Sequence, residues 1–364
     1  MKINVSEILE KFMLTPAPCG YEAEMAYAMK SYFEQFCDEV WIDNVGNCIG
    51  KIAGKDSSQP RSMFFGHMDS LGLMVRRIDE YGFIGVSRLG GITEKVLSGT
   101  TFLIRTDDKT WVPAVVGPKA HHVTPPEEKY VVEKVEEIYL DVGARNAEEV
   151  RALGIHEGCP IVYKPRCEKL LNGRLSGTSV DNRGACACLV KMAELLHEER
   201  PQGDVYLVGT VWEEFNLRGA VVAAHVIKPA VAVSLDVALS GDTNDLRDKF
   251  TLKMSEGPAA NLYTFHGRGT LNGVIAHEPL YHLAKKAAAE KELPLQSTIS
   301  FGMLMDSSYI QFEGEGVASL DMGFPTRYTH TPVETCDPKD VEQLACVCSE
   351  MARQINRAFQ FKRF

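Results

Sequence analysis

The feature that most constrains this chain is a set of short apolar runs, each of which ends in an acidic residue or a histidine. The runs are Ser62 to Gly66 before His67, Val205 to Trp212 before Glu213 and Glu214, and Ala230 to Leu235 before Asp236. Short, continuous apolar runs are typical of buried strands. An unpaired carboxylate at the end of such a strand would be costly to bury. The pattern therefore predicts buried strands whose ends carry polar groups that need partners.

Long helical patterns alternate with the apolar strands from about Arg166 onward, which predicts α/β layering. The helical stretches are Asn182 to Glu199, Glu278 to Glu292 and Asp340 to Phe359, and a further strand is predicted over Val317 to Met322. Nearer the start, Glu39 to Gly54 predicts a strand pair that turns at Asn44 to Asn47. Open α/β sheets bind ligands beyond the carboxyl ends of their strands. The polar groups that end the apolar runs are therefore candidates for one shared site.

Residues from about Leu73 to Lys164 follow a different pattern, in which short alternating runs are separated by Asp, Gly and Pro. The runs are Leu73 to Ile78, Phe83 to Ser87, Thr101 to Arg105, Val112 to Val116 and Glu137 to Val142. One short helix is predicted over Ala147 to Leu153, with Asn146 as its N-cap. We therefore predict an all-β domain over 73–164 that is inserted into one α/β domain formed by 1–72 and 165–364.

The composition argues against several classes of partner. The chain has 39 Lys plus Arg against 49 Asp plus Glu, and its formal net charge of -10 opposes binding to nucleic acid and to anionic membrane surfaces. We find no signal-peptide pattern, and no apolar run approaches the ~20 residues of a membrane span. The 10 cysteines sit in apolar stretches such as Ala185 to Leu189, which favours reduced core residues. We expect a cytoplasmic protein that binds neither nucleic acid nor membranes.

Each candidate site residue also has a purely structural explanation. His67 and Asp69 project to the same side of an extended chain, so they form either a satisfied polar pair or a metal ligand with its carboxylate partner. Asp181 stands where a loop enters a helix and is either an N-cap or a ligand. A loop histidine such as His330 is usually solvated. Two histidines with several carboxylates nevertheless favour a site for zinc, cobalt or manganese over a thiolate site.

The adjacent Glu213 and Glu214 follow directly on a run that is predicted to be interior. Successive strand residues face opposite ways. We therefore expect one carboxylate to bind metal while its neighbour stays free for proton transfer. Adjacent residues do not easily flank a glycosidic bond at the roughly 5 to 9.5 Å that glycosidases require, so this class of enzyme is disfavoured.

Five motifs run in order along nearly the whole chain. They are Gly66-His67-Met68-Asp69-Ser70-Leu71-Gly72-Leu73-Met74-Val75, Val180-Asp181-Asn182-Arg183-Gly184, Glu213-Glu214-Phe215-Asn216-Leu217-Arg218-Gly219-Ala220, Gly241-Asp242-Thr243, and Arg327-Tyr328-Thr329-His330-Thr331-Pro332-Val333-Glu334. In order and spacing they resemble the dimetal aminopeptidases of metallopeptidase family forty-two, which include glutamyl and tetrahedral aminopeptidases.

The resemblance implies two divalent metal ions per subunit, zinc ahead of cobalt or manganese. The implied ligands are His67 and Asp236 on one ion, Glu214 and His330 on the other, and Asp181 between the two. Glu213 is implied as the general base, and Asp69 as a second catalytic residue that supports His67.

The same resemblance implies a phosphorylase/hydrolase-like α/β/α sandwich with an inserted β-barrel dimerisation domain. It further implies a homo-oligomer, from a dimer up to a dodecamer, that removes N-terminal residues from short peptides. Two alternatives stay open. One is a metal-dependent amidohydrolase that deacylates small N-acylated compounds, and the other is a non-catalytic scaffold, which is disfavoured because every implied ligand and the base are present.

Overall fold

The computed structural model describes residues 2–266 and 273–364. The helices are α1 (Val5–Met13), α2 (Ala23–Phe33), α3 (Ala147–Ala152), α4 (Val180–Glu198), α5 (Gly219–Ile227), α6 (Glu278–Glu290), α7 (Ser307–Ile310) and α8 (Pro338–Gln354). The strands are β1 (Glu39–Ile42), β2 (Cys48–Ile52), β3 (Ser62–His67), β4 (Gly72–Ile78), β5 (Ile84–Leu89), β6 (Thr101–Arg105), β7 (Trp111–Val115), β8 (Tyr139–Leu140), β9 (Pro160–Tyr163), β10 (Cys167–Lys169), β11 (Leu175–Gly177), β12 (Val205–Thr210), β13 (Val231–Leu239), β14 (Ala259–Phe265), β15 (Gly273–Ile275), β16 (Gln296–Phe301), β17 (Ala318–Arg327) and β18 (Glu334–Cys336).

The larger sheet places the polar-ended strands side by side. Its order is β1-β2-β12-β3-β13-β17-β18-β11-β10, and β14 extends it from β17 to β15 and β16. The four strands β12, β3, β13 and β17 are parallel to one another. Because parallel strands point their carboxyl ends toward the same edge, the end of β3, the residues beyond β12 and the last four residues of β13, which begin at Asp236, lie toward that edge.

Helices cover both faces of this sheet, which confirms the predicted α/β/α architecture. Along β3, Phe64 packs into a core shared with α1, α4, α6 and α8, whereas Met63 and Phe65 pack on the other face with α5 and α7. This alternation is the ordinary period of a strand. Among the described residues, no helix combines the length and the apolar character needed to cross a membrane.

Two glycines let α4 approach the sheet closely. A Cβ at Gly184 would lie 2.0 Å from the ring of Phe324 on β17, and a Cβ at Gly66 would lie 2.5 Å from Cβ of Ala185. Real Cβ atoms do not approach so closely, because cores are already close-packed. The first turn of α4, with Asp181, therefore lies directly against the end of β3.

The second sheet forms the predicted barrel-like unit. Its order is β7-β6-β9-β4-β5-β8, and paired backbone hydrogen bonds of 3.0 and 2.9 Å between Val115 and Asp141 join its two ends. Its apolar core is separate and is drawn from residues between Leu73 and Tyr163. Asn146 caps α3, since its side chain accepts a hydrogen bond from the N–H of Glu149 at 3.0 Å.

Several element boundaries differ from the sequence prediction. β12 ends at Thr210 rather than Trp212, because Trp212 has φ 60° and leaves the extended conformation. The helix expected to reach Phe359 ends at Gln354, where Ile355 is already extended. The strands β14, β15 and β16 were not predicted. β16 alternates mainly between exposed and partly buried residues, β15 has only three residues, and the largely buried β14 includes Asn261 and Thr264, so none of them shows the long apolar run that marked the central strands.

Candidate active site

Three predicted ligands meet at the end of β3. The His67 side chain is buried, and its Nε2 lies 3.1 Å from Oδ1 of Asp181 and 3.9 Å from Oδ1 of Asp236. Asp181 comes from the first turn of α4 and Asp236 from β13. One ligand atom from each of the three lies within 4.8 Å of the others. The N-cap alternative for Asp181 does not hold, since the backbone is not helical at Asp181 or Asn182 and the capping bond is made by Asn182, whose Oδ1 accepts a hydrogen bond from the N–H of Ala185 at 3.1 Å.

A second group shares Asp181 and adds Glu214 and His330, again with ligand atoms within 4.8 Å. His330 Nε2 lies 3.7 Å from Oδ2 of Asp181. The other ring nitrogen, Nδ1, lies 2.9 Å from the carbonyl oxygen of Gly91. A carbonyl only accepts, so Nδ1 carries the proton and Nε2 presents its lone pair to the site. This orienting oxygen comes from the barrel.

The carboxylate of Asp69 holds the Glu213–Glu214 turn. It accepts hydrogen bonds from the N–H of Glu213 at 3.1 Å and from the N–H of Glu214 at 3.0 Å. Its distance to His67 Nδ1 is 3.5 Å, while the backbone carbonyl of Asp69 lies nearer to that nitrogen, at 3.1 Å. The sequence predicted that the Asp69 carboxylate supports His67. In the structure, the backbone carbonyl of Asp69 is the nearer partner of His67 Nδ1, and the carboxylate bonds mainly to backbone N–H groups.

The alternation of strand residues does not account for the different surroundings of Glu213 and Glu214, because β12 has already ended before them. Glu213 Oε2 lies 3.9 Å from His67 Nε2, and Glu213 is absent from the group that contains Asp181 and His330. Glu214 belongs to that group. Both carboxylates also lie beside His67, because one ligand atom each of His67, Glu213 and Glu214 lies within 4.8 Å of the other two. What distinguishes Glu214 is its additional place in the group with Asp181 and His330.

Burial and mutual repulsion set the protonation of the site. Burial alone would lower the pKa of His67, but the carboxylates of Glu213, Asp181 and Asp69 outweigh it and raise that pKa. Burial raises the pKa of Glu213 and of Glu214, and neighbouring carboxylates add to the effect. Such displaced pKa values mark a cluster in which like charges lie close together with little water between them.

The pKa of Asp236 is also raised, first by burial and then by the negative charge of Asp181. For Asp181 itself, the hydrogen bond from His67 overcomes burial and lowers the pKa. Carboxylate oxygens and imidazole nitrogens in two groups that share one carboxylate suit two divalent cations of the zinc, cobalt or manganese type. Cations would offset the repulsion among these acids, so the residues fit the implied metals.

A cavity of about 410 Å³ opens beside this cluster, a volume within the usual range for small-molecule sites. The proposed ligands and Glu213 line it, together with Gly91 and Thr93 of the barrel. Apolar side chains form another part of the lining: Leu217, Val237, Leu239, Phe301, Met303 and Leu304. The cavity therefore combines reactive polar groups with apolar surface.

The sequence prediction assigned no role to Glu334, which the structure places among the site residues. Glu334 is buried, and its carboxylate accepts hydrogen bonds from the N–H of Asp181 and from the N–H of His330. It is the last residue of the fifth motif. The available signal was its place in that motif, because the stretch Glu334–Cys336 is buried in the structure but contains Glu and Thr and shows no apolar run in the sequence.

Comparison with known proteins places the chain in a family. The family described as M42 glutamyl aminopeptidase matches residues 46–346. The lysyl aminopeptidase of Pyrococcus furiosus is 31% identical, with 92% of this chain and 93% of that protein covered. An aminopeptidase structure from Desulfurococcus kamchatkensis is 29% identical and has a TM-score of 0.91, covering 98% of this chain and 97% of that one. The PhTET1 structure, described as a dodecamer, is 25% identical with a TM-score of 0.82 and covers 97% of this chain and 100% of that one. The chain belongs to the M42 glutamyl aminopeptidase family.

Proposed function

We propose that this protein is a metallo-aminopeptidase that hydrolyses the N-terminal peptide bond of short peptides. The observation that carries the proposal is the pair of ligand groups that share Asp181, with Glu213 beside them at a cavity. Membership of an aminopeptidase family supports the same reaction.

The proposed ligands are His67 and Asp236 for one divalent ion, Glu214 and His330 for the other, and Asp181 for both. Zinc is the first candidate, with cobalt and manganese as alternatives. When bound, two such ions supply an activated water and stabilise negative charge that develops on the scissile carbonyl.

Glu213 acts as the general base in this proposal. Its carboxylate takes a proton from the attacking water and returns it to the amine of the departing peptide. Asp69 fixes the backbone of Glu213 through the 3.1 Å hydrogen bond, so the base stays beside His67. The apolar part of the cavity lining receives substrate and limits the water that reaches the reacting groups.

We further propose that residues 73–164 form an assembly domain and that the protein is a homo-oligomer. The support is the closed second sheet with its own core and the dodecamer described for PhTET1. All 10 cysteines are unpaired, which suits a reducing compartment such as the cytoplasm.

The test is a panel of aminoacyl-arylamides, run with zinc, cobalt and manganese beside N-acetylated versions of the same compounds. We expect metal-dependent hydrolysis only of substrates with a free amino group. Preference for the acetylated compounds would instead support the amidohydrolase alternative. Purified protein that binds no divalent ion and cleaves neither set would support a scaffold.

A further inference from the structure

We propose that Glu334 is a positioning residue that sets the spacing between two metal ligands, Asp181 and His330. Its Oε2 accepts a hydrogen bond from the N–H of Asp181 at 3.0 Å, and its Oε1 accepts one from the N–H of His330 at 2.7 Å. The residue is 2% exposed. One buried side chain thus joins the backbones of two segments that are far apart in sequence. The inference rests on the ligands proposed above.

Sheet pairing fixes where Glu334 lies. β18 runs antiparallel to β11, where Glu334 pairs with Gly177, and antiparallel to β17, where Thr335 pairs with Arg327. Gly177 ends β11, and α4 begins at Val180. The Glu334 side chain therefore starts from a rigid strand at the place where the chain turns toward Asp181.

The loop that carries His330 needs such an anchor. Tyr328 has φ 59° and His330 has φ 64°, and the left-handed conformation is unfavourable for residues other than glycine. Such a conformation persists only where surrounding contacts hold it. The bond from the His330 N–H to Glu334 holds the backbone, and the bond from its ring to Gly91 holds the ring.

Glu334 has a counterpart in Asp69, which accepts the N–H groups of Glu213 and Glu214. Each carboxylate therefore joins two backbone N–H groups of the site. Asp69 fixes the turn with the proposed base, whereas Glu334 fixes two proposed ligands of the ion assigned to His330 and one, the shared Asp181, of the other ion. Loss of Glu334 should lower the binding affinity for the ion assigned to His330 more than the affinity for the ion assigned to His67 and Asp236.

A carboxylate is needed because the two N–H donors bond to different oxygen atoms of the side chain. Glutamine has one acceptor oxygen and an NH₂ group that only donates. In Glu334→Gln, one of the two backbone N–H groups would face that NH₂ group and lose its partner. The segment that loses its partner becomes free to move relative to the other.

The experiment measures zinc binding by the full-length protein, without substrate, by calorimetry and by metal analysis after dialysis. In Glu334→Gln we expect one ion to bind with roughly 10- to 100-fold lower affinity, the usual effect of losing a group that supports a metal ligand. The other ion should keep its affinity within about threefold.

Asp340 provides a matched control. At the start of α8 it is also buried, and its carboxylate accepts the N–H of Ser255 at 2.7 Å and the N–H of Gly257 at 2.9 Å. Asp340→Asn makes the same chemical change at another place in the fold. It should lower thermal stability and leave both zinc affinities unchanged.

Two results would overturn the inference: Glu334→Gln that binds two ions with wild-type affinities, or Asp340→Asn that weakens zinc binding to the same extent. If Glu334→Gln does not fold, Glu334→Asp keeps both acceptor oxygens on a shorter side chain and should show the same selective loss to a smaller degree. If Glu334→Asp binds both ions with wild-type affinities, that result would count against the inference. Wild-type protein that binds no zinc would overturn the proposed function as well, whereas failure to cleave peptides with zinc bound would not affect the role of Glu334.

Discussion

The barrel and the α/β domain differ in what they bury. Between 73 and 164, all of which the structure describes, no side chain of Asp, Glu, His, Lys or Arg is buried. In the larger sheet and its helices the buried residues include His67, Asp69, Asp181 and Asp236. The barrel is thus held by apolar packing, whereas the α/β domain carries costly buried charges at its strand ends. The proposed site lies where the fold is electrostatically unfavourable.

The sharpest test within the α/β domain compares its two adjacent acids. Glu213→Gln should keep both metal ions and lose turnover by roughly 10²- to 10⁴-fold, because an amide cannot take the proton of the attacking water. Glu214→Gln should instead lose or weaken one ion, with partial recovery at high metal concentration. Metal content and rates of both variants are the measurements. Metal loss in the first variant with two ions retained in the second would reverse the assigned roles.

A matched pair of core substitutions tests whether the two regions are energetically separate. Phe102 in the barrel and Phe64 on β3 are both fully buried, and each change to Ala should cost about 3–5 kcal/mol of local stability. Only Phe64→Ala should weaken metal binding, since β3 ends at His67. Denaturant unfolding and zinc titration check this. If Phe102→Ala loses as much zinc affinity as Phe64→Ala, the two regions are not energetically separate.

Metal removal should also distinguish the two regions, with a smaller effect on stability than the core substitutions. A bound ion stabilises the folded state by about 2.7 kcal/mol when its free concentration is 100 times its Kd, so chelation should lower the melting temperature. Hydrogen exchange should accelerate at the end of β3, in the first turn of α4 and in the loop at His330. The strands of the barrel should keep their protection. Equal acceleration of hydrogen exchange in the barrel and in the α/β domain would contradict the expectation that the metal stabilises only the α/β domain.

The smallest expected effect is a pH dependence that arises in the α/β domain. Burial raises the pKa of Asp321 on β17 from 3.8 to about 6, against the opposing hydrogen bonds from the Ser307 and Thr264 hydroxyls. Because the folded pKa is the higher one, the stabilising contribution is complete below the unfolded pKa and is lost as pH rises through about 6. In Asp321→Asn, stability should fall less between about pH 4 and about pH 7 than in the wild type. Chemical unfolding at several pH values measures this, and parallel profiles for the two proteins would exclude the effect.

The sequence predicts where the central strands lie better than it predicts where they end or what lies against them, since β13 continues to Leu239 rather than ending at Leu235. Apolar runs locate β3 and β13, because continuous hydrophobic segments have few alternatives in a soluble fold. The contact between His67 and Asp181 spans 114 positions, and it depends on the close packing of α4 at Gly66 and Gly184. A single sequence without its relatives gives no measure of such packing. The motif resemblance supplied the pairing instead.

The role of Glu334 was missed for a related reason. It depends on the register between β11 and β18, and both are strands of only three residues. Strands this short carry almost no periodic signal. The turn at Trp212 was also beyond prediction, because the residues that follow its positive φ are held by hydrogen bonds to Asp69, 144 and 145 positions away in the sequence.

The carbonyl of Gly91 gives the barrel an influence on the chemistry that its apolar interior does not suggest. The proton on Nδ1 of His330 points to that oxygen, so the ring keeps the correct tautomer only while the barrel stays in place. The barrel is therefore not an exchangeable module. A barrel transplanted from a relative would have to return one backbone oxygen to the same position. In the proposed assembly, a subunit that displaced the barrel would also displace the partner of His330, a proposed metal ligand.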